Sequence, residues 1–343
     1  MEPYGATVER HAEGWLYSGK AADRFWSKSA IGRPMGEKVL LLADAEVIFC
    51  NQHRHLDFPN NNWLADSLSQ NSDLLDEYMV IEALRVPGNK VVISANLEHL
   101  GIDFSELSWA ARWGSDKHPR SESPEAEIRW FHASSELDVQ DLHEWSVEVH
   151  SRDRIAEVII VDDESSVVTY RVSSSEPSGE LGRLQSRDIT QIRERDFKPL
   201  SNGRVMILDT DSWPDERIGI PYPNGRIVDS ICADMIYADQ EDRVVGSSIL
   251  SDLLNRGLHP RPGFKYGTRW RCYDKPLGEE HAPWLVVHPL EAPSDWEGAC
   301  LASRLAAGVG KTWLHPLLEN GEWRYLSISR PPADSRWTNP NRR

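Results

Sequence analysis

Three residues in the last quarter of the chain carry side chains that together could transfer protons and stabilise a phosphate. Tyr273 ends a predicted strand, His281 opens the next strand after a short loop, and Lys311 starts a third strand after a glycine-closed helix. If these strands are neighbours in one sheet, all three side chains approach the same edge. A phenol, an imidazole and an ammonium suit metal-free cleavage of RNA by its own 2′-hydroxyl. That reaction needs a base for the 2′-hydroxyl proton, an acid for the departing 5′-oxygen and a cation for the charge on phosphorus.

Each of these residues also has a purely structural explanation. Tyr273 could be a packed strand aromatic, His281 a loop histidine and Lys311 a solvated cation at a helix end. The string GVGKT that contains Lys311 is not a nucleotide-binding loop, because Leu305 stands where the first glycine is required. A helix is also predicted before this string, whereas a phosphate loop needs a strand before it and a helix after it.

The sequence does not indicate a metal or cofactor site. His53 and His55 lie near Asp57, but no third ligand stands at a recognisable spacing. The four cysteines are scattered and form no CxxC pair, so neither a zinc ribbon nor a disulfide framework is expected. We therefore expect no metal and no cofactor.

The charge of the chain is distributed unevenly. The 343 residues include 38 Lys and Arg and 54 Asp and Glu, a net charge of −16, which taken as a whole argues against a nucleic-acid partner. Residues 256–343 hold 13 basic and 9 acidic side chains, a net charge of +4, so the remainder carries −20. Within residues 256–275, cations alternate with aromatic side chains, a combination suited to the phosphates and unstacked bases of RNA. Lys265 and Arg271 are candidate RNA-binding residues in this run, although a basic strand face paired with the acidic half is the alternative.

Strands are predicted on both sides of the candidate residues. RWRCY (269–273) and PWLVVH (283–288) have the composition of buried strands. WLHPLL and WRYLSIS form a hairpin around Asn320-Gly321, a strong two-residue turn signal.

A helix is predicted between the second strand and the hairpin. Ser294 and Glu297 have the spacing of a capping box at its start. Leu301, Leu305 and Val309 recur every four residues, as on one face of a helix.

A weak internal repeat divides the chain in two. Residues 14–17, 45–49 and 84–88 match, in order, a second set of segments: 203–206, 233–237 and 253–257. The segment SSSEPSGELGR between the two sets is rich in Ser, Glu, Gly and Pro, which is typical of an exposed linker. Duplication of a unit containing strands and a helix is the simplest interpretation.

The strings around the candidate residues resemble a known family, the archaeal tRNA-splicing endonucleases. They are GFKYGTRWRCYDKPLGEEHAPWLVVH, RLAAGVGKTWLH and EWRYLSI. The family pattern has Phe or Tyr before a Gly, then the catalytic Tyr, an acidic turn ending in the catalytic His, and a helix that ends in Lys. The resemblance is clear over about residues 230–330, and residues 1–180 look like a degenerate second copy.

The resemblance implies a role for five residues. Tyr273 would be the general base, His281 the general acid and Lys311 the charge-stabilising cation. Arg304 would stack on a base flipped out of the intron bulge, with Arg324 as its partner in that sandwich.

The resemblance also implies the reaction and the assembly. We expect a tRNA-intron endonuclease that cuts precursor tRNA at a bulge-helix-bulge, without metal, leaving a 2′,3′-cyclic phosphate and a 5′-hydroxyl. A homodimer is expected, and the first copy, with Arg154 near the lysine position, would be noncatalytic. The alternative is a noncatalytic RNA-binding or structural subunit of the same fold. No window approaches the roughly 20 apolar residues of a membrane span and no signal pattern begins the chain, so we expect no membrane partner and a cytoplasmic protein.

The expected fold is α+β, with two tandem repeats. Each repeat would hold a small α/β front module and a mixed-sheet nuclease-like module with one packed helix, and the first repeat would be degenerate. The predicted boundaries are 1–60 for the front module of repeat 1, 61–172 for its degenerate noncatalytic nuclease-like module, 173–200 for the linker, 201–258 for the front module of repeat 2, 259–335 for the catalytic nuclease module and 336–343 for a tail.

Overall fold

A computed structural model describes residues 7–208 and 212–338. Residues 339–343 of the predicted tail therefore lie outside the described residues. The chain divides into two compact units. The first comprises Met1–Ser173, Pro293–Cys300 and Ile328–Arg343, and the second comprises Ser174–Ala292 and Leu301–Ser327. In the part of the chain that the structure describes, no helix combines the length and apolar character needed to cross a membrane.

The first unit begins with a small sheet and continues with a larger one. Its strands are β1 (Thr7–His11), β2 (Gly14–Ser18), β3 (Arg33–Gly36), β4 (Val39–Leu42), β5 (Lys90–Ile93), β6 (Ala110–Trp113), β7 (Ala126–His132), β8 (Ile155–Val161) and β9 (Val167–Ser175). Its helices are α1 (Ala22–Ser29), α2 (Asp44–Arg54), α3 (Trp63–Gln70), α4 (Leu74–Arg85), α5 (Ser94–Leu97) and α6 (Val139–His150).

In the larger sheet of the first unit, all neighbouring strands are antiparallel except one parallel pair, which a crossover helix connects. The small sheet has the order β1-β2-β4-β3, and the larger set runs β5-β6-β7-β8-β9. Only β7 and β8 in that set are parallel, so the chain needs a crossover there, and α6 provides it. Helix α4 packs on this sheet, because Val80 and Leu84 are fully buried in one cluster with Val91, Ile128 and Ile159.

The second unit also contains a small sheet and a larger one. Its strands are β10 (Phe197–Pro199), β11 (Val205–Leu208), β12 (Ile220–Tyr222), β13 (Gly225–Val228), β14 (His259–Pro262), β15 (Trp270–Tyr273), β16 (Trp284–Val286), β17 (Thr312–Glu319) and β18 (Glu322–Ser329). Its helices are α7 (Ser186–Arg193), α8 (Ser230–Tyr237), α9 (Val245–Asn255) and α10 (Trp296–Gly308), of which the last begins in residues assigned to the first unit.

The small sheet of the second unit has the order β10-β11-β13-β12, and the larger set runs β14-β15-β16-β17-β18. In the larger set only β16 and β17 are parallel, and α10 is the crossover between them. Helix α9 buries Ile249 and Leu253 in one cluster with Trp270 and Cys272 of β15, so one face of that strand belongs to the core. The mixed α+β class is confirmed.

The predicted strands, hairpin and helix around the candidate residues are confirmed, and the apolar repeat of the helix is not its buried face. Asn320 and Gly321 join β17 to β18 with φ angles of 51° and 83°, the left-handed pair that a two-residue turn requires. The residues that α10 buries lie on one side, and they are Trp296, Ala299, Ser303 and Ala306. The apolar repeat Leu301, Leu305 and Val309 is exposed.

The start of α10 differs from the predicted capping box. Asp295 Oδ1, one residue later than Ser294, accepts a hydrogen bond of 2.8 Å from the backbone N–H of Gly298. A carboxylate at this position accepts from a free amide of the first turn and also favours the positive helix end.

The segment predicted as a linker, 173–200, is not irregular throughout. It contains α7 and β10, because Ile189 and Ile192 are buried in the same cluster as Met235 and Ile236 of α8. Two buried isoleucines are enough to pack this short helix against α8. The polar residues around them made the helix difficult to predict from the sequence.

Candidate active site

The pairing register brings Tyr273 and Lys311 to one edge of the larger sheet of the second unit. Strands β15 and β16 are antiparallel with Cys272 opposite Trp284, and β16 and β17 are parallel with Trp284 opposite Thr312. Cys272, Trp284 and Thr312 are therefore aligned across the three strands. Tyr273, which follows Cys272, and Lys311, which precedes Thr312, both lie at the same end of these strands. The two residues stand two strands apart, about 10 Å at the usual strand spacing.

His281 reaches the same edge through the backbone that follows it. Lys311 Nζ donates a hydrogen bond to the carbonyl oxygen of Ala282, the next residue in the chain. The backbone N–H of Thr312 donates to the carbonyl oxygen of Pro283 at 2.9 Å. These bonds hold the end of the loop against the start of β17, while the imidazole of His281 is exposed and open to a ligand. The three positions share one edge, and their catalytic roles stay a prediction.

The loop that carries His281 is held by its own residues. Lys275 Nζ lies 2.5 Å from Glu280 Oε1, and this hydrogen bond is the main reason why the pKa of Lys275 is raised. Leu277 and Glu280 form a backbone bridge. Gly278 has a φ of 99°, a conformation that side chains rarely adopt. The loop therefore closes on itself just before His281.

Two side chains lie beside the ring of Tyr273. His259 on β14 is directly opposite Tyr273, with ring centroids 6.5 Å apart at 64°. Arg271 places its Cζ 5.7 Å from the centroid of the Tyr273 ring. His259 is only 4% exposed, and burial, followed by the nearby Arg261 and Arg217, lowers its pKa to about 4. It is therefore neutral at pH 7.

Sequence reasoning missed His259 as a neighbour of the site. The string HPRP that forms β14 contains two prolines, which obscured the strand. The alternation of His259 and Arg261 was the available signal, because residues two apart in a strand share a face.

Lys311 also has an aromatic neighbour. Its Nζ lies 5.6 Å from the centroid of Tyr266, in the single helical turn Phe264–Tyr266 that precedes β15. A cation at this distance from a ring face is attracted by the ring quadrupole. Together with the bond to the Ala282 carbonyl, this contact restricts where the ammonium can lie.

The predicted RNA-binding residues differ in how available they are. Arg304 lies on the exposed face of α10, and Lys265 is exposed at the turn before β15. Arg271 is half-buried beside Tyr273.

Arg324 on β18 is already occupied by acidic side chains. Its nitrogens lie 2.9 Å from Glu322 and 3.4 Å from both Glu176 and Glu319. Its partner across the hairpin is Leu317, six residues beyond Lys311, or about 20 Å along an extended strand. Arg324 would therefore have to break these ion pairs before it could contact RNA. Such a contact would also lie far along the strand from the edge that carries Lys311.

No group of three His, Cys, Asp or Glu side chains that could hold a metal ion lies within residues 7–208 and 212–338. His53, one of the two histidines considered as ligands, instead pairs with Glu82 at 2.8 Å.

Fold and site define a class, a mixed α+β protein whose second unit carries Tyr273, His281 and Lys311 at one sheet edge. Residues 247–325, which include this sheet edge, match the family model of the tRNA intron endonuclease catalytic C-terminal domain. The similarity to the tRNA intron endonuclease family therefore lies in that part of the chain.

The chain is also similar to proteins named tRNA-splicing endonuclease. It is 28% identical over 173 residues to that of Thermoplasma volcanium, an alignment that covers 50% of this chain and 53% of the relative. The match to that of Natronomonas pharaonis is 25% identical and covers 90% of this chain and 94% of the relative. The match to that of Methanopyrus kandleri is 28% identical and covers 42% and 83%. The first of these alignments thus spans only about half the length of the relative.

Proposed function

We propose that this chain is an endoribonuclease that excises introns from precursor tRNA. The observation that carries the proposal is the common sheet edge of Tyr273, His281 and Lys311, within the part of the chain that matches the catalytic domain of the family.

Each of the three residues has a role that fits its chemistry. Tyr273 accepts the proton of the 2′-hydroxyl, whose oxygen then attacks the adjacent phosphorus. His281 gives a proton to the departing 5′-oxygen, a transfer that an imidazole side chain commonly performs in enzymes. Lys311 stabilises the extra negative charge on the phosphate oxygens. The products are a 2′,3′-cyclic phosphate and a 5′-hydroxyl, and no step uses a metal or a cofactor.

The substrate is a bulge-helix-bulge in precursor tRNA. Exposed Arg304 and Lys265 are available for an unstacked base and for phosphates. Arg271 adds positive charge beside Tyr273. Arg324 is kept as the second stacking arginine, with its carboxylate partners as the competing interaction.

The chain is a duplication, with module boundaries at 1–60, 61–172, 173–200, 201–258, 259–335 and 336–343. Both small sheets have the order one-two-four-three, and both larger sets have three antiparallel contacts and one parallel contact bridged by a helix. The same comparison supports a noncatalytic first copy. Trp113 ends β6 where Tyr273 ends β15, and Arg154 precedes β8 where Lys311 precedes β17. Trp113 is fully buried and Arg154 is paired with Glu127 at 2.8 Å, so neither is open to RNA.

The active protein is a cytoplasmic homodimer of two such chains. Light scattering coupled to gel filtration tests the assembly, because a monomer at working concentration contradicts it.

The test of the reaction is cleavage of a bulge-helix-bulge RNA in EDTA. We expect the wild type to cut and His281→Ala to lose at least about 100-fold in the single-turnover rate, the usual effect of removing a proton-transfer group. His99→Ala, an exposed histidine of the first unit, is the matched control and should cut normally. End-group analysis should find a 2′,3′-cyclic phosphate.

Two outcomes separate the proposal from its alternatives. If the wild type binds the RNA tightly but leaves it intact, the chain is a noncatalytic RNA-binding subunit. If cutting needs Mg²⁺, or if His281→Ala cuts at the wild-type rate, the mechanism assigned to these residues is wrong.

A further inference from the structure

A group of basic side chains extends from Tyr273 along the same face of β14 and β15. Residues directly opposite each other in an antiparallel pair share a face, and so do residues two apart in one strand. His259 lies opposite Tyr273 and Arg261 lies opposite Arg271, so these four side chains occupy one face. We call His259, Arg261 and Arg271 the β14–β15 cluster.

The carboxylates near this cluster are already paired with other arginines. Asp215 pairs with Arg217 at 2.6 Å, and Glu216 pairs with Arg226. Asp215 acts electrostatically on His259, and Glu216 acts on Arg261, but each of these carboxylates already forms an ion pair with an arginine outside the cluster.

Neither arginine of the cluster forms an ion pair with a carboxylate within residues 7–208 and 212–338. Arg261 donates to the carbonyl oxygen of Gly219 at 2.9 Å, a neutral acceptor. Among the described residues, Arg271 has no ion-pair partner, and its buried Nε has no hydrogen-bond partner. Nε2 of His259, 96% buried as a residue, has none either.

This arrangement is unfavourable without a counter-ion. Partly buried charges that lack a partner are costly, as are buried polar atoms without a hydrogen bond. Burial and repulsion between the basic groups also act on their pKa values. Burial, then Arg226 and Arg271, lower the pKa of Arg261, and burial followed by Arg261 lowers that of His259.

We propose that the β14–β15 cluster binds a backbone phosphate of the RNA that neighbours the phosphate being cut. Arg271 and Arg261 supply the charge, and the unpartnered Nε of Arg271 and Nε2 of His259 supply buried hydrogen-bonding atoms. The distance of 5.7 Å from Arg271 Cζ to the Tyr273 ring places the bound phosphate next to the catalytic edge. This inference rests on the proposed function for the identity of the anion, since the cluster itself specifies only a phosphate-like anion.

The first test is the salt dependence of RNA binding. Each phosphate contact contributes about 0.7 to 0.9 to the slope of log affinity against log salt concentration. The measurement uses two proteins that both carry His281→Ala, so that the RNA stays uncut, and that differ only at Arg271. Arg271→Gln should weaken RNA binding and lower the slope by about the value of one phosphate contact. Arg269→Gln is the matched control, because Arg269 lies two residues away and its charge is already paired with Asp229 at 2.9 Å. An unchanged slope for Arg271→Gln overturns the proposal.

The second test uses inorganic sulfate and needs no RNA. Sulfate should raise the melting temperature of the wild type more than chloride at equal ionic strength, and this difference should shrink in Arg271→Gln but not in Arg269→Gln. Equal sulfate responses in all three proteins overturn the anion site, even if RNA is cut normally. A sulfate response that depends on Arg271 in a protein that cuts no RNA supports the site and overturns the proposed function instead.

A third result separates phosphate binding from an effect on Tyr273. If Arg271→Gln shifts the pH profile of cleavage and leaves the salt slope unchanged, Arg271 acts on the phenol rather than on a neighbouring phosphate. That result overturns the proposal. A reduced slope with an unchanged pH profile supports it.

Discussion

His259 should make the protein less stable in mild acid. In the folded chain its imidazole is 4% exposed, and burial, then Arg261 and Arg217, lower its pKa to about 4. Unfolding returns it to water, where its pKa is about 6.5. Between these pH values His259 is protonated in the unfolded chain and neutral in the folded chain. The contribution of His259 to the free energy of unfolding is therefore fully present above about pH 6.5 and is lost as the pH falls towards 4. The nearby Asp215 favours the protonated form, but its effect on the pKa of His259 is smaller than those of burial, Arg261 and Arg217.

The magnitude follows from the two pKa values. One pKa unit is worth about 1.4 kcal/mol, so the shift from about 6.5 to about 4 corresponds to about 3 kcal/mol of unfolding free energy. Carboxylates also titrate in this range, and burial lowers the pKa of His288 and His315 as well. The effect of His259 must therefore be read as a difference between two proteins.

The assay is urea unfolding at pH 7 and at pH 4, with the wild type, His259→Gln and His99→Gln. Glutamine does not titrate, so the loss of stability from pH 7 to pH 4 should be about 3 kcal/mol smaller in His259→Gln than in the wild type. His99→Gln, at an exposed position, should behave as the wild type does. Equal losses in His259→Gln and the wild type would refute the reasoning, because they would mean that His259 takes up its proton at the same pH in both states.

Two smaller predictions concern the elements that position Lys311. Asp295→Ala removes the side chain that caps α10 and should lower the free energy of unfolding in urea by about 1 kcal/mol. Ser294→Ala should leave it unchanged. A larger loss in Ser294→Ala than in Asp295→Ala would mean that Ser294 is the capping residue. Gly321→Ala should cost about 1 kcal/mol by the same measurement, because Gly321 has a φ of 83°, whereas Gly308→Ala near the end of α10, where an added Cβ meets open space, should be neutral or stabilising. A Gly321→Ala protein as stable as the wild type would contradict the left-handed turn.

Features decided by neighbouring residues were predictable from the sequence. The Asn320-Gly321 hairpin is an example, because a two-residue turn requires φ values that few residues adopt. The order of strand, acidic loop, strand, helix and strand around Tyr273, His281 and Lys311 is another. It follows from local composition together with the family pattern, and the pairing register agrees with a shared edge.

Features that depend on distant partners were not predictable. The four-residue repeat of Leu301 and Leu305 correctly indicated a helix but not which side would be buried. The small residues Ala299 and Ala306 face the interior instead, where a close approach is possible. Arg324 was assigned to RNA from its place in a motif, yet one of its acidic partners, Glu176, lies 148 residues earlier in the chain.

The sequence by itself determined the fold class, the local elements and the three candidate catalytic residues, since propensities, turn signals and motif spacing act over a few residues. Only the tertiary structure decided the surroundings of Tyr273. His259 and Arg271 lie beside it because two strands pair in one register, and Asp215 and Glu216 are unavailable to the cluster because other arginines hold them. Such charge balance depends on which side chains share a face, and a chain read in one dimension does not contain that information.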